Sequence, residues 1–143
     1  MALTLNDDVR ELLKKPQIAR LATIGANGFP HITPLWFLFE TDRDEIVIMA
    51  DRTARKAKNL LSNPHGALQV GGDPLPAGQD GYTRGVLLQG EFAVEDDPGH
   101  AVTARITRHY LQGDAADHML EMWKDDDIVV LRMSIQKVIQ VAG

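Results

Sequence analysis

Residues Asp51 to Pro64 read DRTARKAKNLLSNP, a run in which Arg52, Arg55, Lys56 and Lys58 fall within seven positions of a chain whose formal net charge is −5. Thr53 is a candidate N-cap, and Ala54, Ala57, Leu60 and Leu61 recur at helical spacing. The cations are therefore predicted on the first turn and outer face of a short helix. There they would add to the free amides and the positive end of the helix dipole, an arrangement suited to holding a phosphate. The same pattern also describes the solvated face of an ordinary surface helix, and both readings stand at this point.

Outward from the helix, strands lie on either side. Glu45 to Ala50 (EIVIMA) is apolar without alternation, which predicts a strand covered on both faces. Gly66 to Val70 (GALQV) resumes extended structure after Asn63-Pro64. Upstream, Gln17 to Ile24 and Pro30 to Glu40 flank the turn signal Asn27-Gly28 and predict a hairpin, followed by a polar turn at Thr41 to Asp44. Asn6 is placed to cap a first helix with Val9, Leu12 and Leu13 inward and Pro16 at its end.

Downstream, Gly71 to Tyr82 carries Gly71, Gly72, Gly78 and Gly81 with Pro74 and Pro76, the composition of a loop. Thr83 to Val94 is a fifth strand with bends or bulges expected at Gly85 and Gly90. Asp96-Asp97-Pro98 opens a helix to about Leu111, a second covers Ala115 to Trp123, and Asp127 to Val141 is a final strand bent near Ser134 to Lys137. Six strands with glycine-marked bends predict a mostly β fold, a small antiparallel barrel with inserted helices, as one domain over residues 1–143. So small a barrel has little interior room, which puts any ligand site on its outside or at a subunit contact.

Composition removes several function classes. The chain has no cysteine, so disulfides, thiolate metal sites and a cysteine nucleophile are excluded. Its acidic balance argues against nucleic-acid binding, and no apolar run approaches the length of a membrane span or signal peptide, so a cytoplasmic location is expected. Ser62 and Ser134 are the only serines and neither sits in a nucleophile elbow. His31, His65, His100, His109 and His118 are scattered without metal-ligand spacing, and Asp125 to Asp127 with Glu121 lacks the alternation of a calcium loop. Neither a dinucleotide-binding fingerprint nor a P-loop occurs. Trp36, between Leu35 and Phe37, is either packing or the wall of an aromatic-binding pocket, and Arg105, Arg108 and His109 share a helical face that is either solvated or touches an anionic ligand.

The ordered set PLWFLF, RKAKNLLSNP, GVLLQGEFAVEDD, HYLQG and VVLRMSIQKV, spread over nearly the whole chain, resembles the pyridoxamine 5′-phosphate oxidase-like split β-barrel family. The resemblance implies a six-stranded Greek-key barrel, a homodimer, and two flavin-type cofactors in grooves between the subunits. By position, Arg55 and Lys56 match the Arg-Lys pair that holds the cofactor phosphate, and Lys58 with Asn59 matches the following basic-Asn step. Met49 and Ala50 match positions along the flavin edge, and Pro34, Leu35 and Trp36 match the strand facing the ring system.

Met49, Ala50 and Ala54 stand where the oxidase has hydroxyl-bearing residues, and the Arg-rich C-terminal substrate segment is missing, so pyridoxamine phosphate oxidation is not the expected reaction. Lys56, Lys58, Asn59, Leu60, Asn63 and Pro64 fit more closely the branch that uses the deazaflavin coenzyme F-420, while close relatives bind FMN. The resemblance thus implies an F-420- or FMN-dependent oxidoreductase acting on a small conjugated or heteroaromatic molecule, or a non-catalytic carrier or sensor of the same cofactor.

Overall fold

The structure, a computed structural model, describes residues 3–81 and 83–141. Its frame is an antiparallel sheet of seven strands: β1 (Ala19–Ile24), β2 (Pro30–Leu35), β3 (Leu38–Glu40), β4 (Glu45–Asp51), β5 (His65–Gly71), β6 (Gly85–Asp96) and β7 (Ile128–Val141). They lie in the order β2-β1-β5-β6-β7-β4-β3. The expected count was six. The extra strand arises because Pro30 to Glu40 does not run straight through: Trp36 and Phe37 leave the sheet, and the halves on either side pair with β1 and β4 respectively. The two edges of the sheet are thus consecutive pieces of chain, which curls the sheet into a split barrel.

Side chains alternate across the barrel wall, as strand geometry requires. Ala19, Leu21 and Thr23 of β1, Ile46 and Ile48 of β4, Leu68 and Val70 of β5, Val86 and Leu88 of β6, and Leu131 and Met133 of β7 are all buried. β4 is apolar on both faces for the reason its sequence suggested. Its inward side joins the barrel core, while Val47 and Met49 pack outward with Val130 against Ile106, Trp36 and Tyr110.

Four helices dress the sheet: α1 (Asp7–Leu13), α2 (Arg55–Ser62), α3 (Ala101–Tyr110) and α4 (Gly113–Trp123). Asn6 caps α1 as its type predicts, accepting from the Val9 amide at 2.9 Å, and Val9 and Leu13 are buried while Leu12 is half-buried. α3 begins after a single 3-10 turn at Pro98–His100, and buried Asp97 secures it by accepting from the amides of Val102 and Thr103 and from the Thr103 hydroxyl. Gly90 marks the bulge expected of it: the β6–β7 register slips between Gln89 and Gly90, passing over Gln136, and a Cβ on Gly90 would overlap the Ser134 carbonyl.

Candidate functional site

The site is built where β4 hands the chain to α2. Asp51 closes β4, its carbonyl accepting from the Ala54 amide at 2.9 Å, and the Arg52 amide donates to the Asp127 carbonyl at 2.9 Å. Ala54, rather than Thr53, is the N-cap residue of α2, with φ −63° and ψ 148° and no side-chain capping bond. The tight Asp51–Ala54 turn sets the helix start one residue later than hydroxyl preference alone implies. The first turn of α2 therefore begins without a side-chain acceptor over its amides, next to two cations.

The four cations of the run have different fates. Arg52 is committed to structure: its guanidinium donates to Asp127 at 2.8 Å and to Asp96 at 2.6 Å, tying the turn to the ends of β6 and β7. Hydrogen bonding to Arg52 holds the Asp127 carboxyl below the usual range, and the same bonds raise the Arg52 pKa. Arg55, Lys56 and Lys58 form no ion pair with any carboxylate among the described residues. Uncommitted cations at an uncapped helix start retain their capacity for an outside anion.

Lys56 turns toward a pocket of about 230 Å³ whose walls are Met49, Ala50, Asp51, Trp123, Asp126 and Ile128. Asp51 and Asp126 share this pocket without pairing with Lys56. A larger opening of about 700 Å³ adjoins it through Asp126 and Ile128 and reaches His100, Leu120 and Lys124.

The sequence-derived site residues divide into groups. Met49, Ala50 and Lys56 meet at the pocket, and Arg55 and Lys58 lie exposed on the same helix. Asn59 faces away: it is 5% exposed and its amide donates to the buried Thr23 hydroxyl at 3.0 Å, pinning α2 to β1. Leu61, expected on the inward stripe, is 65% exposed, because Asn59 joins Ala57 and Leu60 on the buried side of the helix.

Pro34 and Leu35 line no wall of the Lys56 pocket; Pro34 is exposed on the outer face and Leu35 packs on the barrel core. Trp36 stacks on Tyr110, with ring centroids 4.9 Å apart and planes 8° from parallel, in the cluster that also holds Met49. It backs the site rather than opening onto it. Arg105 and Arg108 are occupied by Glu40 and Asp117, at 3.7 and 2.8 Å, and the His109 ring meets Tyr110 edge-on. No group of three or more His, Asp or Glu side chains fit to hold a metal occurs among the described residues.

Two participants escaped the sequence reading. Trp123, at the end of α4, is the one aromatic wall of the Lys56 pocket, and nothing in its spacing connects it to that lysine. Tyr110 was visible only as part of HYLQG; its hydroxyl holds the crossover between β2 and β3.

A curled antiparallel sheet closed on itself through a broken strand, with a basic helix beside a small pocket on its wall, defines a split-barrel protein. The family model described as pyridoxamine 5′-phosphate oxidase matches residues 5–142, and the chain belongs to that family. No curated protein matches the chain.

Solved structures resemble it in fold. A conserved hypothetical protein from Mycobacterium tuberculosis is 19% identical with a TM-score of 0.75, the match covering 99% of this chain and 86% of that one. An F420 reductase is 21% identical with a TM-score of 0.72, covering 94% of this chain and 98% of its own. The heme storage protein HutZ from Vibrio cholerae is 17% identical with a TM-score of 0.68, covering 99% and 98%. Among the described residues no helix is long and apolar enough to cross a membrane.

Proposed function

We propose that this chain is an oxidoreductase that binds a phosphate-bearing flavin or deazaflavin, F-420 ahead of FMN, and acts on a small conjugated or heteroaromatic molecule. The observation that carries the reading is the meeting of Met49, Ala50 and Lys56 at one pocket, beside an uncapped helix start with its cations uncommitted. Arg55 and Lys56 would hold the anionic end of the cofactor, with Lys58 adding to the local potential. Met49 and Ala50 would supply the apolar edge along which the rest of the molecule lies, with Trp36 fixing Met49 from behind. Bound cofactor supplies the two-electron chemistry, and the protein is left to bind, orient and exclude water. In this reading the protein works in the cytoplasm and neither nucleic acid nor a membrane is a partner.

The reading includes a homodimer. The β1–β2 hairpin exposes Ile24, Phe29 and Ile32, the last two 72% and 65% accessible, and Ile24 lines an opening of about 380 Å³ bordered by Ala22, Ala67, Gln89 and Gln136. Large apolar side chains grouped on one face of a hairpin are the kind of surface a second copy covers. Pro34 lies on that same face, which would bring the Pro34–Trp36 segment to the subunit contact.

The test is a pair of titrations of the purified protein with FMN and with F-420 at matched salt. Saturable binding of F-420 with weaker FMN binding supports the favoured form, and preference for FMN makes the protein an FMN enzyme. Binding of neither removes the reading. The fold resemblance to a heme storage protein motivates a second reading, a non-catalytic carrier or sensor of the same cofactor. It predicts cofactor binding without turnover of any acceptor.

A further inference from the structure

α4 is an unusual neighbour for a binding pocket because it is held so lightly. Of its eleven residues only Ala116 is buried. It leaves α3 through Leu111 and Gln112 into Gly113, whose φ of +53° is a backbone state that glycine adopts at little cost. Its surface tie to α3 is the exposed Arg108–Asp117 pair at 2.8 Å, a contact of small energetic value. At the other end the Trp123 carbonyl accepts from the Asp126 amide at 2.9 Å, and the chain turns at once into β7.

The last side chain of this helix is Trp123, half-buried and facing Met49, Ala50 and Ile128 across the pocket that holds Lys56. An indole in that position has apolar neighbours on the sheet, a cation beside it and open volume before it. A lightly anchored helix carrying a large flat side chain into the same pocket as Lys56 is fitted to close on something flat.

We infer that Trp123 is a specificity-determining binding residue, a stacking wall for the planar ring of the ligand whose anionic group Lys56 engages. The inference rests on the functional reading above and extends it by naming the residue that selects for a ring. An indole face supplies large contact area at low entropic cost, and Met49 opposite it provides a polarisable second surface. Ligands with the anion but without a ring, such as inorganic phosphate, would gain nothing from Trp123.

The experiment titrates FMN and F-420 into wild type, Trp123→Ala, Trp123→Phe and Lys56→Ala, with thermal melts as a check of folding. The expected result is a loss of about tenfold or more in affinity for Trp123→Ala, with most of it recovered in Trp123→Phe. An indole in contact with a flavin quenches its emission by electron transfer. Bound FMN should therefore be brighter in Trp123→Phe than in wild type. A merely structural tryptophan would move the melting temperature and leave bound-flavin emission alone. Wild-type affinity and emission in the Trp123 variants, with binding lost in Lys56→Ala, overturns the inference and leaves the functional reading in place. Failure of wild type to bind either cofactor overturns both.

Discussion

The Tyr110 hydroxyl grips Phe37 from both sides, accepting from its amide at 3.1 Å and lying 3.1 Å from its carbonyl oxygen, while it donates to the Gln17 carbonyl at 2.7 Å. Phe37 is the point at which the chain passes from one edge of the sheet to the other, so one side chain of α3 fastens the closure of the barrel. Removing the hydroxyl by Tyr110→Phe leaves half-buried backbone groups unpaired and should cost about 1–3 kcal/mol in chemical denaturation. An unchanged unfolding midpoint would show that water replaces the clasp.

The same tyrosine sets an alkaline limit. Burial raises its pKa above the ordinary tyrosine value, outweighing the opposing hydrogen bond from the Phe37 amide. A folded pKa above the unfolded one means that the native state keeps the proton longer. Its contribution is complete below about pH 10 and is lost as pH rises through the folded value. Melting temperatures from pH 8 to 11 should fall more steeply in wild type than in Tyr110→Phe.

Arg55→Ala with Lys56→Ala should weaken cofactor binding by a few kcal/mol, since each charge-assisted hydrogen bond contributes roughly 1.5–3 kcal/mol. The double variant should melt close to wild type, because neither side chain has an ion-pair partner to lose among the described residues. Equal affinity in a folded double variant would sink the assignment of this helix as the anion site.

Asn59 offers a cleaner separation of anchoring from binding. Its amide is spent on Thr23, both buried, at 3.0 Å. Asn59→Ala and Thr23→Val should each lose about 1–3 kcal/mol of stability and shift cofactor affinity in parallel, by loosening α2. Affinity lost in Asn59→Ala alone would instead make Asn59 a direct ligand.

Ile32→Asp places a carboxylate in the middle of the exposed apolar hairpin face. If that face is the subunit contact, light scattering should report a dimer for wild type and a monomer for the variant, and cofactor affinity should fall with it. A monomeric wild type would refute the homodimer directly.

Much of this architecture was legible because it is written in local patterns. The uninterrupted apolar run of β4 announced cover on both faces, Asn6 and Asp97 announced helix starts, and Gly90 announced the bulge. The break at Trp36 and Phe37 was not legible, since PLWFLF is uniformly favourable for extended chain. What interrupts it is Tyr110, more than seventy positions away in sequence. The start of α2 slipped past Thr53 because the Asp51–Ala54 turn overrode the hydroxyl's capping preference.

The site was legible in its charge and not in its enclosure. A basic cluster in an acidic chain pointed to Lys56, and the resemblance pointed to Met49 and Ala50, all three of which meet at the pocket. Asn59 looked the same as its neighbours in a string of letters; only the position of Thr23 across the barrel turns it inward. Trp123 belongs to an element whose sequence gives no sign of where it docks.

The position of β7 has a consequence for the order of events during synthesis. It is the last described strand to be made, yet it lies between β6 and β4 and hydrogen-bonds to both. Until it emerges, β4 and β3 cannot join the rest of the sheet, and the apolar faces of Ile46 and Ile48 wait uncovered on a nascent chain. Assembly must therefore be late and governed by contacts distant in sequence, which are slow to form. A nascent chain that has completed β6 but not yet β7 is the state in which this barrel is most exposed to aggregation.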